Sequence, residues 1–227
     1  MMKEKTQTVQ LQKRQEVLEK IAKLVKQGKA KKETKELLFF LALLSAAILG
    51  RVALQYVPSV EPIIPFAILA GLLFGMKEGF MLGGSAYIIS NFFIWGLQGP
   101  WTIFQALGAA VPGAFAGFYG KTRKIGAKEF ILLAVAGTLF FETLMNVSGA
   151  FMGIGLIGAL GIFTLPLYFA ASLPFSIVHT ATNAGFARLL APLLSKWRRN
   201  DEFKIVSVSK LDSGKHSSVR LYKSESN

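Results

Sequence analysis

Cysteine is absent, which excludes disulfides, thiolate metal ligands and cysteine nucleophiles. Charge is scarce as well. Asp, Glu, Lys and Arg make up 17% of the 227 residues, and between Leu37 and Leu194 they are sparse. No Walker-type phosphate loop occurs, which excludes ATP hydrolysis by that mechanism. No internal period repeats. No short apolar segment with a small-residue cleavage site opens the chain, so no cleavable signal peptide is expected.

What fills the space is apolar. Hydrophobic residues make up 52% of the chain, and the mean hydropathy is +0.45. The apolar runs are long enough to cross a hydrocarbon layer of roughly 30 Å, which takes about 20 helical residues. They predict an all-α, polytopic integral membrane protein built as a compact bundle of six transmembrane helices. The expected spans are Leu37–Val57, Pro62–Met76, Gly79–Leu97, Trp101–Gly120, one opening near Phe130, and one closing at Leu194. Lys77-Glu78-Gly79 interrupts the pattern between the second and third. Gly149–Gly161 is too glycine-rich for a good helix and reads as an outer loop or re-entrant piece.

Basic residues set the orientation. Of the 26 Lys and Arg, eleven fall in residues 1–36, four in the Lys121–Lys128 loop and eight after Leu194. Cytoplasmic loops are enriched in Lys and Arg, so all three segments belong inside. That parity allows two spans, not three, after the Lys121 loop. The net charge of +13 therefore reads as membrane topology at an anionic leaflet rather than nucleic-acid binding. The chain divides into a basic, interfacial amphipathic segment (1–36), the membrane domain (37–195) and a flexible basic tail (196–227), both termini lying on the cytoplasmic side of the plasma membrane.

Small residues recur at helical spacing. Gly71, Gly75 and Gly79, and likewise Ala109, Gly113 and Gly117, are expected to pack within the bundle. Ala42, Ala46 and Gly50, toward the cytoplasmic end of the first span, suit a docking surface for a partner. Polar residues collect toward the outer ends: Arg51, Gln55, Glu61, Asn91, Trp95, Gln98, Trp101, Thr102, Gln105, Glu142, Asn146 and Tyr168. Polar groups in a membrane are costly and face a cavity or one another, so these are candidates for a substrate pocket opening outward. On the last span Ser172, Ser176, His179 and Asn183 share a face, where they can satisfy carbonyls freed by Pro174; His179 reads as a packing hydrogen-bonder.

Val57-Pro58-Ser59-Val60-Glu61-Pro62 through Pro65-Phe66-Ala67, then Gly99-Pro100-Trp101-Thr102 and Gln105, resembles the substrate-binding S components of energy-coupling factor (ECF) transporters. The likeness spans Leu37 to Leu194 and includes Ala42-x-x-x-Ala46 on the first helix. It implies capture of a vitamin or related micronutrient from outside and docking through Ala42 and Ala46 to a transmembrane coupling protein. Two cytoplasmic ATPases drive that protein, so ATP is used by the partners alone and the chain needs no cofactor and catalyses nothing. The Gly-Pro-Trp-Thr turn looks most like members linked to cobalamin-like cargo. A stand-alone carrier or channel is the alternative. A further one is an intramembrane protease, since Gly83-Gly84-Ser85-Ala86 and His179 are similar to the Ser–His pair of rhomboid proteases, though Gly-x-Ser is a weak signal among 22 glycines.

Overall fold

A computed structural model describes residues 2–94, 99–123, 125–152 and 158–212. Among them the chain forms six helices: α1 (Met2–Ala53), α2 (Ile63–Phe74), α3 (Met76–Asn91), α4 (Trp101–Thr122), α5 (Ala127–Met152) and α6 (Gly158–Asp212). Parts of three are long and apolar enough to cross a membrane: Val25–Ala53, Trp101–Thr122 and Ala127–Ala150. Large apolar side chains on their outer faces, among them Ile103, Phe118 and Leu132, are exposed. Apolar surface on that scale needs lipid or protein against it. The molecule is an all-α, membrane-associated bundle.

The helix α2 organises it. Its twelve residues, Ile63–Phe74, carry no polar side chain. A helix apolar on every side belongs in an interior. Accordingly α2 touches all five other helices, and Ile63, Ile64, Ile68 and Leu69 are fully enclosed. At 1.5 Å per residue α2 is only about 18 Å long, too short to cross a bilayer alone.

Between α2 and α3 stands one residue, Gly75, at φ 129° and ψ 179°. That backbone conformation is open to glycine and strained for other residues. The break expected at Lys77–Gly79 therefore lies at Gly75. Lys77 is tolerated in the first turn of α3 because it faces outward, and Glu78 in that turn suits the positive end of the helix dipole.

Both expected packing stripes meet. A methyl group added at Gly71 would lie 2.1 Å from the Gly113 carbonyl oxygen, and one at Gly113 would lie 2.4 Å from that of Gly79. Helices α2, α3 and α4 thus touch backbone to backbone, the close approach that drives association in lipid. The first stripe splits. Ala42 and Ala46 are exposed, whereas a methyl group at Gly50 would sit 2.7 Å from Pro62 Cγ. Each four-residue step advances a helical position by about 40° beyond a full turn, so Gly50 has rotated about 80° from Ala42, into the bundle.

Two boundaries differ from expectation. Helix α3 ends at Asn91 rather than Leu97, and residues 95–98 lie outside the described residues. The Gly149–Gly161 loop shrinks: α5 continues to Met152, α6 opens at Gly158, and 153–157 lie outside the described residues. Packing overrides propensity there, because a methyl group at Gly149 would fall 2.9 Å from the Tyr168 ring and 3.2 Å from Trp101. Helix α1 runs through residues 36 and 37, and α6 runs to Asp212. Residues 213–227 lie outside the described ones. Phe39 stacks on Trp197 at 5.0 Å and Phe74 meets Trp197 edge-on at 5.4 Å, tying α1, α2 and α6 together.

Two glycine replacements separate close approach from mere helix propensity. Gly113→Ala is expected to cost about 1–3 kcal/mol by overpacking. Gly84→Ala, whose methyl group would meet only Ala110 at an ordinary 3.7 Å, is expected to stay within about 0.5 kcal/mol of the parent or to stabilise it. Thermal unfolding of the purified variants in one detergent measures both.

Candidate functional site

Arg51 sits in the last turn of α1, where the helix dipole favours a cation. It is 7% exposed, and a buried guanidinium needs partners for its donors. Nε donates to Glu61 Oε2 at 2.7 Å. Nη1 donates to Ser90 Oγ and Asn91 Oδ1, both at 2.6 Å. The guanidinium lies 4.6 Å over the centre of the Tyr87 ring, a favourable cation–π placement. Tyr87 hydroxyl donates to Glu61 Oε1. Tyr87, Ser90 and Asn91 occupy one face of α3, being three and four residues apart. Asn91 Nδ2 carries the network to α4, donating to Thr102 Oγ1 at 3.0 Å and to Gln105 Oε1 at 2.8 Å.

A second cluster stands across from it. Glu142 of α5 accepts from Ser176 Oγ at 2.6 Å and lies 2.6 Å from His179 Nδ1, both on α6. The other ring nitrogen, His179 Nε2, is 3.5 Å from Glu61 Oε1 and makes no hydrogen bond. Phe141 is stacked on Tyr87 at 5.4 Å and stands edge-on to His179 at 5.5 Å.

Between them lies a cavity of about 290 Å³. Of the residues expected at a pocket, Arg51, Gln55, Glu61, Gln105 and Glu142 line it. Asn91 and Thr102 stand behind, inside the hydrogen-bond network. Asn146 is drawn to Ser172 at 2.8 Å, while Trp101 and Tyr168 flank Gly149. Trp95 and Gln98 lie outside the described residues.

The face shared by Ser172, Ser176, His179 and Asn183 does not serve the carbonyls around Pro174 as expected. Ser176 and His179 turn to Glu142, and Asn183 Nδ2 donates to Thr138 Oγ1 at 3.0 Å. Ser172 does bond backbone, at Phe169 O. Ser85 donates to its own helix at Met81 O, and His179 faces the two carboxylates, so the Ser85–His179 pair is not formed. Tyr87 and Ser90 are site residues not singled out from the sequence, and Ser176 and His179 were expected on a packing face rather than at the pocket. A signal for three existed: Tyr87 and Ser90 share a helical face with Asn91, and Ser176 sits three residues before His179.

No family model, curated protein or solved structure matches the chain.

The two carboxylates differ in charge balance. Glu61 is matched by Arg51. Among the described residues, Glu142 is met by the Ser176 hydroxyl and the His179 ring. Removing one member of a buried ion pair leaves the other uncompensated. Arg51→Met is therefore expected to destabilise the protein by about 3–5 kcal/mol. Arg51→Met with Glu61→Gln is expected to cost less than Arg51→Met alone, because the stranded charge is gone. Unfolding midpoints of the single and double variants read this out.

Proposed function

We propose that the chain is the substrate-binding S component of an ECF-type importer. It takes up a small micronutrient in the cavity between Glu61 and Glu142 and delivers it to a transmembrane coupling protein driven by two cytoplasmic ATPases. The observation that carries the reading is the cavity itself. Charged, amide and imidazole groups from α1, α4, α5, α6 and the connection after α1 converge on it, inside a membrane-associated bundle where such groups are costly unless they serve a ligand or one another. The basic loops support placing that end of the bundle outside, with both termini in the cytoplasm.

The cavity's size bears on the cargo. At about 290 Å³ it lies at the small end of ligand pockets, which run from roughly 300 to 1,000 Å³. That favours a compact micronutrient over the cobalamin-like cargo implied by Gly99-Pro100-Trp101-Thr102, since a corrinoid is several times larger. Docking to the coupling protein is assigned to the exposed Ala42 and Ala46, where a small-residue surface lets another helix come close. In this role the chain binds and hands over; it does not catalyse.

Ala46→Trp is expected to abolish ATP-driven uptake in proteoliposomes containing the coupling protein and both ATPases. Solute binding by the purified variant should stay within about twofold of the parent, because the new side chain projects away from the cavity. Mass spectrometry of small molecules that co-purify with the chain identifies the cargo. Uptake by the chain alone, without any ATPase, marks a stand-alone carrier instead.

A further inference from the structure

A second arginine lies within the apolar length of the bundle. Arg188 of α6 stands eight residues before Lys196, about 12 Å along the helix. Arg51 is buried among Glu61, Ser90 and Asn91, and Arg123 has the ring and hydroxyl of Tyr119. Arg188 instead faces outward, and among the described residues none is hydrogen-bonded or ion-paired to it. The exposed residues around it are apolar: Leu189 on α6, and Leu132 and Leu139 on α5. A guanidinium keeps its charge, and a charge left unmatched in an apolar layer is costly.

Two contacts fix where Arg188 sits against α5. Asn183 meets Thr138 at 3.0 Å and His179 meets Glu142 at 2.6 Å, so the helices run antiparallel in one register. Carried on toward the cytoplasmic end, that register sets Arg188 level with Leu132 and Leu133. At about 100° per residue, Arg188 is turned roughly 140° from Asn183, Leu132 roughly 120° from Thr138 and Lys128 roughly 80° from Thr138. In antiparallel helices those turns carry all three to the same outer edge of the α5–α6 seam, and all three are exposed. Lys128 lies one turn nearer the cytoplasmic end, so two cations flank one stretch of the seam. Glu129 beside it is turned to its own helix start, where Oε2 accepts from the Gly126 N–H at 2.9 Å. One turn outward from Arg188, a methyl group built at Gly185 would meet nothing within 4 Å.

We propose that this edge seats an anionic phospholipid of the cytoplasmic leaflet. Basic groups between helices on that side of a membrane suit acidic headgroups. Lys128 and Arg188 hold the phosphate, because an arginine stem can lie along apolar surface while its head reaches back to the interface. An acyl chain runs outward along Leu132 and Leu139 and over the open backbone at Gly185. The headgroup supplies the negative charge that no described residue supplies to Arg188, and the chain covers the leucines beside it. Seated there, the lipid holds α6, which carries His179, against α5, which carries Glu142. The site holds whether or not the outer cavity takes a micronutrient.

Three probes test it on the full chain in one neutral detergent: dioctanoylphosphatidylglycerol, dioctanoylphosphatidylcholine and inorganic phosphate. Shifts of the thermal unfolding midpoint across a titration rank them. Phosphatidylglycerol is expected to act at about tenfold lower concentration than phosphatidylcholine, and inorganic phosphate to give no shift over the same range. Arg188→Gln is expected to bring the two lipids within about twofold of each other. Lys77→Gln, which removes an exposed cation from the first turn of α3, is expected to leave the tenfold preference in place. Equal action of the two lipids, or an undiminished preference in Arg188→Gln, overturns the proposal. An equal loss in Lys77→Gln overturns it in favour of diffuse attraction to a basic protein, and a shift with inorganic phosphate overturns it in favour of a soluble anion. If Arg188→Gln does not unfold cooperatively, Lys128→Gln decides: a preference reduced about threefold or more supports the site, and an unchanged one overturns it. If Arg188→Gln keeps the lipid preference but loses ATP-driven uptake with the coupling protein and ATPases, Arg188 meets a protein partner instead, and the lipid site is overturned.

Discussion

An ionised side chain held in apolar surroundings has to be matched, and the polar end of this bundle is arranged around that requirement. Arg51 and Glu61 stand at opposite ends of the connection between α1 and α2. Their 2.7 Å contact closes that connection. The remaining guanidinium donors and the π-face of Tyr87 bring in α3, and Asn91 extends the chain of bonds to α4. Each link satisfies a group that is expensive to bury alone. The network is therefore both the wall of the cavity and the brace that holds four segments in register around it.

The brace works only because the helices come close enough to be braced. Close approach is a matter of backbone, not of side chains, along the line of Gly71, Gly79 and Gly113. With α3 drawn against α4 there, Asn91 at the end of one reaches Thr102 and Gln105 at the start of the other. Helix α2, apolar on all sides, is enclosed by the rest. Van der Waals packing thus supplies the scaffold in lipid, and the polar network supplies position.

The two carboxylates of the site meet different fates under the same constraint. Glu61 has a fixed cation; Glu142 has a hydroxyl and an imidazole whose far nitrogen points at another acceptor. The imidazole of His179 stands between the two carboxylates, and Phe141, stacked on Tyr87, meets that ring edge-on.

Apolar run length and the placement of Lys and Arg were enough, from the linear chain, to foresee an all-α bundle of six helices in their order, the two interior glycine stripes, and the gathering of polar residues at one end. These depend on local composition and on helical periodicity, which a sequence displays directly. Helix ends were less legible: Gly149 to Met152 stays helical against its glycine content because Tyr168 and Trp101 pack on it, and the break before α3 belongs to Gly75 rather than to the charged pair beside it. Membership of the site was decided by the fold. Gln55 and Glu142 face the cavity while Asn146 and Tyr168 do not, and His179, which looks like an ordinary packing residue on its own helix, stands between two carboxylates that are 118 and 37 residues away in the chain. Periodicity tells which residues share a face of one helix. Only the rotation and approach of that helix against its neighbours determines what the face meets.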